Sequence, residues 1–238
     1  MAETIRLGEI SADVRRKNIK NVHLSVYPPA GKVRISAPSH MSLATIRVFA
    51  INKLGWIKNQ QRQLQEQERE PPREYLEKES HFVWGKRYLL RVIEERQSPG
   101  VEPGPEKLTL RVRPGWDAVR SQSLLEEWYR GQVRAHAVPL IAKWEKVMGV
   151  TVRRLFVQRM KTRWGSCTPG RGYIRLNTEL AKKPRDCLEY LVVHEMVHLL
   201  EPTHNERFLA LMDQYLPQWP ALREKLNRLP VKHEDWSY

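Results

Sequence analysis

Cysteine is scarce. Only Cys167 and Cys187 occur in 238 residues, too few for a disulfide-stapled scaffold, and without a CxxC pair there is no cysteine-built structural zinc site. Long apolar runs are missing too. No stretch approaches the roughly 18 uncharged residues that a membrane span requires, and the opening MAETIRLGEI lacks the basic-then-apolar layout of a secretory signal. The expected location is therefore the cytoplasm, where both thiols stay reduced, with no membrane partner. No internal repeat is visible, and the nearest approach to low complexity is the helix tail QQRQLQEQERE. Acidic residues are in deficit: 27 Asp and Glu against 41 Lys and Arg leave a formal charge of +14. Such a field attracts phosphate-rich or acidic partners in a salt-sensitive way, although a merely solvated basic surface accounts for it equally well.

What remains is a globular mixture, 41% hydrophobic and 29% charged, able to bury a sizeable core. Alternation from Ile5 to Ile35, in VHLSVYPP and KVRISAP with PPAGK between them, predicts a small antiparallel sheet. Helical spacing from Ser42 to about Glu70, through Ile46, Phe49, Ala50, Leu54, Ile57 and Leu64, predicts one long helix that stops before Pro71 and Pro72. HFVWGKRYLLRVIEE and KLTLRVRP read as two strands separated by a surface loop, QSPGVEPGPE. Residues 1–115 then form a β-rich lobe with a long helix.

Residues 116–238 form the second lobe. A helix is expected from about Asp117 to Met148, kinked or broken at Pro139. VRRLFVQRM and RGYIRLN read as strands joined by a loop, TRWGSCTPGRG. Helices follow from about Arg185 to Leu200, from Asn205 to Tyr215 and from Pro220 to Leu229. The fold class is α+β.

The segment HEMVH sets His194 and His198 four residues apart, so on a helix both imidazoles leave one face, one turn apart, within reach of one ion. Glu195 is turned about 100° around the axis; it is poorly placed as a ligand and well placed to meet a metal-bound water. Catalytic zinc usually takes three protein ligands and a water. His204 is the expected third, since Pro202 ends the helix and lets the chain fold back in HEMVHLLEPTH. Glu201, Glu206 and Asp213 stand as carboxylate alternatives. Leu188, Leu191, Val192, Val193, Met196 and Val197 make the helix apolar nearly all round, hence buried. Polar groups buried there need partners, and a metal supplies them.

The chemistry follows from the ion. Zinc lowers the pKa of its water toward about 7, Glu195 takes the proton as hydroxide attacks a carbonyl carbon, and the same carboxyl later protonates the leaving amine. A second oxyanion donor is normally wanted. Tyr190 and Tyr215 are near in sequence, although packing explains each as well.

These residues resemble the YgjP-type metallopeptidase-like family, related to the SprT and WLM groups of the zincin clan. The likeness rests on RMKTRWGSC, YIRLN and PRDCLEYLVVHEMVHLLEPTHNERF, with weaker support from KVRISAP and KLGWIKNQ. It implies a zincin-like core, a small sheet against an HExxH helix, with His194, His198 and His204 as metal ligands and Glu195 as the catalytic residue. RWGSC is shared as well. Arg163, Trp164, Gly165 and Ser166 are substrate-binding candidates beside the metal, and an edge formed by YIRLN is a candidate for aligning an extended peptide. A tight turn with Trp164 as a core plug is the competing account. Cys167 reads as a small buried residue rather than an inhibitory thiolate.

The leading expectation is thus a zinc metallopeptidase acting on polypeptide. Metal-assisted hydrolysis of a small phosphorylated or acylated compound such as a nucleotide is the second reading. The likeness to SprT proteins, which act on DNA-bound proteins, suggests a DNA-associated protein-processing peptidase, and a non-enzymatic zinc module binding nucleic acid or a partner is the remaining one. The basic run RRKNIK and the pairs Lys182, Lys183 and Arg153, Arg154 invite nucleic acid, but without a recognised interleaving of aromatics they read as a solvated charged face.

Overall fold

The computed structural model describes residues 3–27, 31–66, 79–160 and 163–228. They form two compact units, one within Met1–Pro71 and one within Pro72–Leu229.

In the first unit, β1 (Glu3–Leu7), β2 (Ile10–Lys17), β3 (His23–Tyr27) and β4 (Lys32–Pro38) lie in the order β1-β2-β4-β3. The outer pairs are antiparallel but β2 and β4 run parallel, so the sheet is mixed and not the antiparallel one expected. Alternation reports which face a residue takes and is blind to strand order, which is where the expectation failed. Ala12, Val14, Val33 and Ile35 fill the inner face. The expected single helix is two: α1 (Leu43–Asn52), capped where Ser42 Oγ accepts from Thr45 N at 3.1 Å, and α2 (Leu54–Glu66), separated by the non-helical Lys53. Ile46, Ala50 and Ile57 are fully buried against the sheet. The expected end near Glu70 and the prolines of the PPAGK turn lie outside the described residues.

The second unit opens with β5 (Ser80–Val83), β6 (Lys86–Glu94), β7 (Gly100–Pro103) and β8 (Lys107–Val112), in the order β5-β6-β8-β7 with β6 and β8 parallel. HFVWGKRYLLRVIEE is therefore a hairpin, and the expected surface loop supplies β7. The order and strand senses repeat those of the first sheet. Each leading hairpin turns on a left-handed glycine, Gly8 (φ 69°) and Gly85 (φ 81°), and the strands KVRISAP and KLTLRV occupy equivalent places. This is an internal repeat that only the topology reveals. Val83, Leu90, Leu108, Leu110 and Val112 share one core with the helix that follows, so the chain divides near residue 71 and not near 115.

That helix, α3 (Ala118–Met148), is capped by Asp117, whose carboxylate accepts from Arg120 N at 2.8 Å, and ends on the left-handed Gly149. Pro139 does not break it. Pro139 and Ala135, one turn before it, are exposed, so the Ala135 carbonyl deprived of its N–H partner can take water, while Val133, Ala137, Ile141 and Trp144 bury the opposite stripe.

The third sheet contains β9 (Arg154–Gln158), β10 (Gly165–Thr168) and β11 (Tyr173–Asn177), ordered β10-β11-β9. The expected TRWGSCTPGRG loop thus contributes a strand. YIRLN, expected at an edge, is the middle strand, with β9 parallel on one side and β10 antiparallel on the other. Next come α4 (Arg185–Val197), α5 (Glu206–Tyr215) and α6 (Trp219–Arg228). Helix α4 packs against α3, α5, α6, β10 and β11, with Val192, Val193, Met196 and Val197 fully buried; each such side chain contributes roughly 1.5–3 kcal/mol. Lys182 and Lys183 do not form a solvated face. Both are buried: Lys182 Nζ is 2.7 Å from the Glu179 carboxylate, and Lys183 Nζ lies 5.8 Å from the Trp164 ring centroid.

Candidate metal centre

Helix α4 ends at Val197, and His198 is its C-cap, still in right-handed helical conformation. His194 and His198 therefore keep helical spacing, with ring centroids 5.0 Å apart. The turn after Pro202 brings back His204, whose Nε2 lies 3.1 Å from His194 Nε2. One ring nitrogen from each of the three lies within 4.8 Å of those of the others, and no other group of three or more metal-ligating side chains occurs among the described residues. None of the three carboxylates weighed as third ligands joins the histidine group, and two of them have other work. Glu201 accepts from Thr203 N and Oγ1 at 3.2 and 2.9 Å, and Asp213 accepts from Trp219 Nε1 at 2.7 Å.

Two features hold the rings in place. Glu201 O lies 3.1 Å from His198 Nδ1; a proton on Nδ1 donated to that carbonyl leaves Nε2 as the lone-pair nitrogen. Phe208 is buried and its ring meets all three imidazoles, at 5.1, 4.7 and 4.7 Å. It is aimed there because Asn205 caps α5 by accepting from Phe208 N at 3.0 Å. Sequence reasoning overlooked Phe208. Its signal was the cap: an Asn three residues before a Phe, directly after the third histidine.

Burial holds the His194 imidazole down to about 3, and the other two histidines and Arg223 push the same way. His198 and His204 are also lowered, chiefly by burial. All three rings are thus neutral near pH 7, as metal ligands must be. Two nitrogens bound tetrahedrally to one zinc at about 2.0–2.1 Å lie about 3.3–3.4 Å apart, close to the His194–His204 separation. The donor set fits a divalent ion with borderline-soft preference.

Glu195 is 4% exposed. Burial raises its carboxyl to about 8, opposed by the positive charge of Arg163. Strand β10 passes directly over it, and a Cβ at position 165 would fall 2.5 Å from Glu195 Oε1, so only glycine lets strand and carboxyl approach so closely. The Cys167 thiol is pushed up to about 12 by burial and then by Glu195, which keeps it neutral. Asn177 staples the preceding loop: its Nδ2 donates to Met160 O and Arg163 O, both at 2.8 Å, and its N–H donates to Trp164 O. Asn177 is a second residue that sequence reasoning missed, hidden because it closes a strand that reads as purely structural. Of the RWGSC residues, Gly165 meets Glu195 and Arg163 acts on it through charge. Trp164 is part-buried and takes Lys183. Ser166 follows Gly165 on β10, where side chains alternate, and so takes the opposite face of the sheet.

No curated protein matches this chain in sequence. Among solved structures, the metallopeptidase zymogen abylysin of Pyrococcus abyssi is similar at 18% identity, over 40% of this chain and 99% of that one, with a TM-score of 0.36. The metallopeptidase zymogen jannalysin of Methanocaldococcus jannaschii is similar at 15% identity, over 40% and 92%, with a TM-score of 0.33. The sequence model of one family spans residues 20–229, nearly the whole chain and all of the histidine cluster, and is described as a metallopeptidase domain: the chain belongs to the YgjP-like family.

Proposed function

We propose that this protein is a zinc-dependent metallopeptidase with a zincin-like core, in which His194, His198 and His204 hold the ion and Glu195 is the general base. The observation that carries the reading is the convergence of three neutral imidazoles within 4.8 Å, on and just beyond a buried helix that also presents Glu195. The family supports a metal-dependent peptidase. A divalent ion in this site would acidify a water and stabilise the negative charge that develops on a substrate oxygen.

The protein's own groups do the rest. Glu195 takes the proton of the attacking water on a carboxyl oxygen and returns it to the leaving nitrogen. Burial holds its carboxyl up at about 8 even with Arg163 nearby; a bound divalent cation beside it would lower that value into the range where a general base works near neutrality. Among the described residues β10 pairs only with β11, so its other edge can align an extended polypeptide by strand addition. The aligning strand is β10 and not YIRLN. Among the described residues no helix is long and apolar enough to cross a membrane, and both thiols are free, in keeping with the proposed cytoplasmic location.

One observation favours a second reading, a small anionic substrate such as a nucleotide. Arg223 acts through charge on Tyr190, His194 and His204, and Arg163 acts on Glu195, so two cations flank the centre. The deciding experiment incubates the zinc-loaded protein and E195Q with casein, a peptide library and nucleotides. Peptide cleavage lost in E195Q supports the first reading. Glu195-dependent release of phosphate or pyrophosphate with no peptide cleavage overturns it in favour of the second.

A further inference from the structure

Between Glu145 and Glu179 the sequence contains no Asp or Glu, yet it carries Arg153, Arg154, Arg159, Arg163, Arg171 and Arg175. Some arginines find carboxylates: Arg16 meets Glu3, Arg111 meets Glu95, Arg228 meets Glu224 and, within this stretch, Arg159 meets Glu126. Arg154 and Arg175 have no carboxylate partner among the described residues; what they meet is an aromatic ring and a hydroxyl.

The placement follows from register. On β9, Arg154 and Phe156 are two residues apart and so share one face of the sheet. Their partners on β11 are Tyr173 and Arg175, with Arg154 beside Tyr173 and Phe156 beside Arg175. Two cations and two rings thus alternate at the corners of a square. The Arg154 and Arg175 guanidinium carbons lie 4.9 and 5.1 Å from the Phe156 centroid, and Tyr173 meets Phe156 edge-on at 5.8 Å. Arg175 also donates to Thr168 Oγ1 on β10 at 3.1 Å. The opposite face holds the buried Val157, Ile174 and Leu176 and the close approach of Gly165 to Glu195. The square therefore faces away from the catalytic carboxyl.

We propose that this outer face of the β9, β11 and β10 sheet binds single-stranded nucleic acid, with phosphates on Arg154 and Arg175 and bases against Phe156 and Tyr173. A guanidinium stacked on a ring is pre-ordered and keeps an N–H edge for phosphate. Aromatic side chains on a sheet face offer stacking surfaces to unpaired bases whatever their sequence. The absence of acidic residues from the stretch removes the repulsion that would turn a polyanion away. An acidic peptide would use the arginines and leave the rings idle, and a duplex keeps its bases inside the stack, out of their reach.

The test is fluorescence anisotropy of the full chain with labelled oligothymidine and oligouridine of about 20 nucleotides, long enough to cover one binding face. A duplex of equal length and an oligoglutamate serve as competitors. R154A/R175A should weaken single-strand binding about tenfold or more and reduce the slope of log affinity against log salt by about 1.4, two phosphate contacts' worth. F156L should cost several-fold with the salt slope unchanged, while R15A/K20A in the first unit should bind like the wild type. Should R154A/R175A fail to fold by circular dichroism, R154K/R175K, which keeps charge and loses stacking, and F156L decide the matter. Binding unchanged in those variants overturns the proposal, and so does competition by duplex or oligoglutamate equal to that by the single strand.

Discussion

Gly165 and Glu195 approach so closely that a single methyl group on the strand would fall 2.5 Å from the carboxyl oxygen. The neighbouring atom belongs to a side chain held at 4% exposure inside α4, so it has little room to yield. G165A should therefore lower peptidase turnover about 100-fold or more, the scale on which small displacements of a catalytic group act, while zinc content stays at the wild-type level. Activity and metal content measured on the same preparation check this; wild-type turnover in G165A would mean that Glu195 tolerates displacement.

Phe208 forms the floor on which three imidazoles rest. Replacing it with alanine should destabilise the fold by about 3–5 kcal/mol, as for other buried aromatic truncations. The more informative change is F208L, which keeps the site filled. It should leave melting nearly intact and weaken zinc affinity about 10-fold or more, as other changes around metal ligands do. Competition with a chromogenic chelator gives the affinity.

Asn177 holds the loop before β10 by donating to two backbone carbonyls, at Met160 and Arg163. N177A removes both bonds from a residue that is 4% exposed, so stability should fall by about 1–3 kcal/mol. Urea denaturation with an unchanged m-value would establish the loss as one of stability.

Asp186 and Lys225 tie the start of α4 to α6 with a contact of 2.6 Å. Burial pushes the Asp186 carboxyl up, but the hydrogen bond and charge of Lys225 with the Cys187 N–H outweigh it and leave the group below its ordinary 3.8. A carboxyl lowered by folding adds stability at pH values above its unfolded value, and that stability disappears as pH falls through the folded value. The pair should therefore support the fold fully above about pH 4 and lose that support progressively as pH falls below it. Its side chains are 43% and 45% exposed, so the contribution is about 0.2–1 kcal/mol. K225A should melt lower than wild type at pH 7 and converge with it below pH 4 in a melting series.

How much of this was legible beforehand differs by element. The grouping of the three histidines could be read because helical periodicity puts two of them on one face and a proline stop turns the third back toward them. The divided helix around Lys53 and the strand inside TRWGSCTPGRG could not. Lys53 breaks no propensity rule, and GSCT becomes a strand only because β11 offers it a partner across a turn at Gly172. Pro139, expected to kink or break the helix, leaves it unbroken, since solvent at an exposed helix face can take up the lost hydrogen bond. The two buried lysines, Lys182 and Lys183, looked solvated because sequence does not show the Glu179 carboxylate and the Trp164 and Tyr129 rings that receive them. The pairing of Gly165 with Glu195 was beyond reach for the same reason. It is a contact between a strand and a helix separated by thirty residues.

The claim beneath all of this is that one ion sits among His194, His198 and His204. Metal content per chain, measured by mass spectrometry after zinc loading and gel filtration of the wild type, H194A and H204A, tests it most directly. The account predicts one zinc per wild-type chain and little or none in either variant under the same wash. A full equivalent of zinc retained by both variants, or none held by the wild type, would contradict it.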